Sequence, residues 1–106
     1  MSKVKWEEEA RSEELKILEY AVQNYTRASY RNLYKKFRHA EINLSGQPLI
    51  GVREYYLTNR SKEYRSLYVP KYFKLIYYYD EKSDTVYITD VWDTRKEPLI
   101  QASHLK

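Results

Sequence analysis

The chain has 106 residues, with 19 Lys and Arg against 15 Asp and Glu, giving a formal charge of +4 and a pI near 9.2. It has no cysteine, which excludes disulfides, thiolate metal sites and cysteine nucleophiles. Its two histidines, His39 and His104, stand far apart, and its two glycines, Gly46 and Gly51, cannot build a glycine-rich phosphate loop. The length suits a single domain, residues 1–106, with a core of its own. No apolar run approaches the roughly 20 residues that span a bilayer, and the charged stretch Met1–Glu9 lacks the apolar region of a signal peptide. The expectation is a cytoplasmic protein with no metal and no cofactor. The mild basic excess suits an acidic or nucleic-acid partner. Thirteen tyrosines outnumber the two Trp and two Phe, and tyrosine serves both packing and interfaces.

Lys3-Val4-Lys5-Trp6 alternates charged and apolar residues and predicts a short edge strand. Glu7–Asn24 has good helix formers, no Gly or Pro, and three acids at its start, where the helix dipole favours them. Leu15, Leu18, Val22 and Tyr25 predict its apolar stripe, widened by Ile17 and Ala21. Thr26 is placed to cap a second helix that runs to about Ser45, with a stripe of Tyr30, Leu33, Tyr34, Phe37 and Leu44. Gly46 and Pro48 end it. Residues 7–19 hold six acids, whereas residues 27–38 hold Arg27, Arg31, Lys35, Lys36 and Arg38 and no acid. The two helices form a hairpin with one acidic and one basic member. A solvated face is the ordinary reading of the basic run, and an anionic partner lying along it is the other.

Pro48–Gly51 reads as a packed loop, Glu54–Leu57 as a strand or ordered loop, and Thr58–Glu63 as exposed chain. From Tyr64 onward, three runs rich in Tyr, Ile, Val and Leu are separated by Pro70-Lys71 and by the polar segment Asp80–Asp84. They predict three antiparallel strands. In the first, Arg65, Leu67 and Val69 share a face; in the second, Phe73, Leu75, Tyr77 and Tyr79 oppose Tyr72, Lys74, Ile76 and Tyr78. Both faces of the second run are apolar or aromatic, so it is placed centrally, between two covers. Asp90, inside the third run, marks an exposed face, a bulge or a functional position. The predicted class is α+β: an N-terminal helical hairpin packed on a small antiparallel sheet, in the order β-α-α-β-β-β.

Several segments together resemble the RelE/ParE superfamily of bacterial toxins. They are the first strand ending in Trp6, the helix through Ile17, Leu18 and Tyr20, Pro48-Leu49-Ile50-Gly51, and Tyr64-Arg65-Ser66-Leu67. They continue through Tyr72-Phe73-Lys74-Leu75-Ile76-Tyr77-Tyr78 and Val86-Tyr87-Ile88 to Val91-Trp92-Asp93-Thr94-Arg95-Lys96-Glu97-Pro98. The resemblance implies a helix hairpin on a twisted sheet and a cognate antitoxin as partner. It also implies one of two actions: ribosome-dependent cleavage of mRNA, as in RelE-like members, or blockade of DNA gyrase, as in ParE-like members.

Cleavage requires a proton acceptor, a proton donor and cations for the phosphorane-like charge. The candidates for that reading are Arg65, Lys74, Tyr78, Arg95 and His104. For binding a target or antitoxin they are Arg65, Lys74, Tyr78, Trp92, Arg95 and Lys96. The bland alternatives are an ion pair of Arg65 with Asp90 or Asp93, and Tyr78 as a packing residue. Asp93 stands where it repels a scissile phosphate, and no tyrosine follows Arg95. The ending looks closer to the ParE-like branch. A non-toxic module that binds protein or nucleic acid is the reading from another class, since tyrosines among cations can stack bases.

Overall fold

The computed structural model describes residues 1–58, 60–96, 101 and 105. The chain runs β1 (Lys3–Trp6), α1 (Glu8–Asn24), α2 (Arg27–Gly46), β2 (Val52–Arg53), a 3-10 turn at Tyr55–Leu57, β3 (Arg65–Val69), β4 (Phe73–Asp80) and β5 (Thr85–Asp93). The strands form one sheet in the order β1-β5-β4-β3-β2, with α1 and α2 on one face. This is the predicted α+β hairpin-on-sheet class. Two details differ. The sheet is mixed, because β1 lies parallel to β5; the intervening chain is long enough for the crossover that parallel pairing needs. And a two-residue strand, β2, precedes the three predicted ones, pairing only with Arg65 and Ser66. Glu54–Leu57 forms no strand and instead leads into the 3-10 turn.

One helix cap follows from the sequence, whereas α2 runs through Gly46 and takes Gln47 as its C-cap. Thr26 Oγ1 accepts the backbone N–H of Ser29 at 3.1 Å, capping α2. The buried face of α1 keeps Leu18 and Ala21 of the predicted stripe, whereas Leu15, Val22 and Tyr25 are 51%, 62% and 49% exposed. Ala10 and Glu14 are buried in their place. Two alanines let the helix approach the sheet closely, and Glu14 can be buried because its charge is met. Arg11 Nη1 donates to Glu14 Oε1 at 2.8 Å, and Arg38, from α2, donates to Glu14 Oε2. Arg38 also pairs with Glu41 at 2.9 Å. The guanidinium groups of Arg11 and Arg38 lie 4.5 and 5.5 Å from the ring centre of Trp6. Cation–π contact thus ties β1 into the same knot. In α2, Phe37, Ala40 and Leu44 are buried and Tyr34 is exposed, at the margin of its predicted stripe.

The core between helices and sheet is built on Leu18, Phe37, Leu44, Val69, Leu75, Tyr77, Val86, Ile88 and Val91. A smaller cluster of Leu57, Tyr64, Ile76 and Trp92, joined by Tyr78 and Leu105, covers part of the opposite face. The central strand β4 is therefore buried from both sides, as its composition predicts. In β5 the pairing slips: Tyr77 faces Ile88 but Ile76 faces Asp90, leaving Thr89 as the extra residue of a bulge. Thr89 Oγ1 donates to the carbonyl of Ile76 at 3.1 Å. Side-chain parity reverses across the bulge, so Ile88 and Val91 both reach the helix side.

Gly51 is fixed by close approach. Its N–H donates to the Tyr77 hydroxyl at 2.9 Å, and its carbonyl accepts from Arg65 Nη1 at 2.9 Å. A β-carbon there would sit 2.5 Å from the Ser66 carbonyl oxygen and 2.7 Å from the Tyr77 hydroxyl. Gly51→Ala should cost about 2–3 kcal/mol through overpacking, read from denaturant unfolding. Glu14→Ala, which removes the carboxylate shared by Arg11 and Arg38 while Arg38 keeps its pair with Glu41, should cost about 1–3 kcal/mol. Glu14→Gln, which retains part of the hydrogen bonding, should cost less in the same measurement.

Candidate binding faces of the sheet and its end

The candidate residues fall in three places. Arg65 lies toward the helix side, because it pairs in register with Tyr77, whereas Lys74 pairs with Tyr68 and faces the other way. Arg65 does not pair with Asp90 or Asp93; it donates to the Gly51 carbonyl and lies 3.5 Å from a Glu63 carboxylate oxygen. Burial raises the pKa of Tyr77 beside it, while the Gly51 N–H and the Arg65 charge pull the other way.

Lys74, Tyr78 and Trp92 share the face away from the helices. Lys74 Nζ donates to Glu54 Oε2 at 2.9 Å and sits 5.3 Å from the ring centre of Trp92. Glu54 is 6% exposed, so this is a sheltered ion pair. Trp92 is 1% exposed. Its Nε1 donates to Asp90 Oδ2 at 2.7 Å, and the other Asp90 oxygen accepts the Val91 N–H at 2.8 Å. Trp92 is thus an inside residue of the second cluster rather than a surface contact. Asp90 is likewise buried, at the bulge that was one of its three predicted settings. Tyr78 is half-buried. Its ring stacks on Tyr87 with centroids 5.2 Å apart, meets Tyr64 edge-on at 6.0 Å, and has Lys62 Nζ 5.0 Å from its centre. Burial first, then the neighbouring negative charge of Glu7, pushes the Tyr78 phenol above its ordinary range.

Arg95 and Lys96 follow β5 at the end of the sheet, beside the tip of the helix hairpin. Arg95 grips Asp93 with two parallel hydrogen bonds, Nε to Oδ1 at 2.9 Å and Nη2 to Oδ2 at 2.8 Å, and lies 4.1 Å over the ring of Tyr72. They border a hollow of ≈ 380 Å³ whose apolar floor includes Ile17, Leu33 and Phe73 and whose wall includes Tyr20 and Tyr25. Lys96 is exposed. His104 lies outside the described residues. Among the described residues no three His, Asp or Glu side chains converge as a metal site, and no helix is long and apolar enough to cross a membrane.

Sequence reasoning missed Glu54, the partner of Lys74. A lone acid before Tyr55-Tyr56-Leu57 was the available signal, since an acid beside an apolar run requires a counter-charge when buried. It also missed Tyr87 as the stacking partner of Tyr78; their cross-strand pairing follows only once the β4–β5 register is known.

No protein-family model matches the chain, and the search of curated proteins found no match. Solved structures do resemble it. A metal-bound toxin from Helicobacter pylori superposes with a TM-score of 0.56 at 20% identity, over 90% of this chain and 97% of that one. The isolated E. coli RelE toxin gives 0.53 at 13% identity, over 97% and 95%. The intact E. coli RelBE toxin–antitoxin complex gives 0.50 at 15% identity, over 88% and 96%.

The Asp93–Arg95 pair has a pH signature. The Arg95 guanidinium holds the Asp93 carboxyl below its ordinary value of 3.8. A carboxyl whose folded pKa is depressed stabilises the fold above its unfolded value and loses that contribution as pH falls through the folded one. Urea midpoints at pH 5 and pH 2.5 should therefore fall further for the wild type than for Asp93→Asn, whose neutral amide no longer titrates. Over nearly its whole length, the chain has the fold of RelE-type toxins.

Proposed function

We propose that this chain is the toxin of a type II toxin–antitoxin pair, neutralised by a cognate antitoxin, and that it arrests growth by binding its target rather than by cleaving RNA. The fold supports the first part. The second rests on one observation: the three described cations named for cleavage, Arg65, Lys74 and Arg95, neither converge nor stand free. Lys74 is held by Glu54, Arg95 by Asp93, and Arg65 by Glu63 and a carbonyl on the opposite side of the sheet. A phosphoryl-transfer site needs such charges preorganised toward one point. DNA gyrase, the target of ParE-like members, is the first target to test. This reading places the protein in the cytoplasm with its target.

A ribosome-dependent mRNA endonuclease is the second reading, favoured by the two RelE structures among the solved relatives. In that case the carboxylates would have to release their cations to a phosphate. Glu54→Gln, which frees Lys74, then raises cleavage, whereas in the binding reading no cleavage appears in either protein.

Induced expression in a bacterial host lacking the antitoxin should arrest growth, and Arg95→Ala should weaken the arrest at least tenfold in surviving colonies. Purified protein should inhibit gyrase supercoiling and leave translated mRNA uncut. Codon-positioned cuts overturn the binding mode in favour of the nuclease. Normal growth under expression overturns the toxin reading and leaves a non-toxic binding module.

A further inference from the structure

Four cations of α2 make no ion pair among the described residues. Between Arg27 and Arg38 the helix carries five basic residues and no acid. Arg38 is taken by Glu14 and Glu41. Arg27, Arg31, Lys35 and Lys36 are exposed and make no ion pair among the described residues. Arg27, Arg31 and Lys35 recur every fourth residue, so they form one row with steps of about 6 Å along the axis. That arrangement works against the helix itself. Like charges at this spacing repel, and Arg27 sits in the first turn, where the dipole disfavours cations. An ordinary solvated helix intersperses acids at such positions, as α1 does with Glu13 and Lys16. Local charge placed against local stability marks a functional surface.

The geometry points to a docking face for the phosphate backbone of double-stranded DNA on the outer side of α2, formed by Arg27, Arg31, Lys35 and Lys36. It does not depend on the toxin reading, since neither the sheet nor the residues after β5 take part. A duplex fits better than a single strand because the nearby rings are already engaged. Tyr34 lies under the Arg38 guanidinium at 5.2 Å, and Tyr25 meets Tyr20 edge-on at 5.9 Å. Those contacts leave each ring part-occupied as a platform for splayed bases. DNA fits better than RNA because the major groove of B-DNA, about 12 Å wide, admits an α-helix, whereas the deep, narrow groove of A-form RNA does not. The contacts go to phosphates, so binding is sequence-independent and strongly salt-dependent.

Fluorescence anisotropy on a labelled 20-base-pair DNA duplex tests this. Three full-length proteins are compared: the wild type, the triple variant Arg27→Gln/Arg31→Gln/Lys35→Gln, and a control losing equal charge elsewhere, Lys3→Gln/Lys5→Gln/Lys82→Gln. Circular dichroism checks that all three are folded. Four phosphate contacts predict that wild-type affinity falls about 150-fold between 50 and 200 mM salt, and the single contact left in the triple variant predicts a fall of roughly fourfold. The control should follow the wild type. Equal loss in triple variant and control, tighter binding to the same duplex made of RNA or to a polyglutamate peptide, or no DNA binding at 50 mM salt would each overturn the proposal.

Discussion

One extra residue in β5 decides which side chains reach which side of the sheet. Thr89 enters the ladder opposite a single position of β4, and parity reverses beyond it. Without the bulge, Val91 would leave the helix-side core and Trp92 would enter it. With it, Trp92 turns to the far face, where Leu57, Tyr64 and Ile76 receive it. The buried carboxylate of Asp90 then holds the reversal in place, accepting one hydrogen bond from the Val91 backbone and one from the Trp92 indole. A buried acid is costly unless its oxygens are filled, so this geometry is narrowly determined. Strand β4 gains a second cover, and the open side of the sheet becomes partly closed by its own chain.

That closure shapes the chemistry available. The segment that brings Leu57 over the sheet also brings Glu54 to Lys74, so covering the face and neutralising its cation are one event. At the far end, Asp93 and Arg95 form their own two-point pair two residues apart. Charges bound in this way contribute shape and orientation more than free potential. Among the described residues, a row of cations without ion pairs lies elsewhere, along the outer side of α2.

Much of this was legible in the sequence. The strand runs, the hairpin, the Thr26 cap and the central placement of β4 follow from periodicity and turn residues. Three things did not follow. The buried face of α1 was misread because Glu14 counted as polar, although Arg11 and Arg38 satisfy it across elements; no local pattern announces a partner 24 residues away. The parallel pairing of β1 was missed because a four-residue strand carries no mark of its direction. Arg65 and Lys74 were grouped as one cluster because they sit on adjacent strands. The pairing of Val69 with Phe73 sets a register that sends them to opposite faces, and a slip of one residue would have reversed the answer.

The shortness of β2 has a consequence for solubility. Beyond Ser66, no described strand pairs with the outer side of β3, leaving Leu67, Tyr68 and Val69 as an open edge before Pro70. In an antiparallel ladder only alternate residues turn their N–H and C=O groups to a given side. Three residues therefore offer one or two outward-facing positions, and Pro70, with no N–H, cannot extend them. Exposed Tyr68 makes the edge attractive to another chain, but its length denies that chain a ladder long enough to propagate.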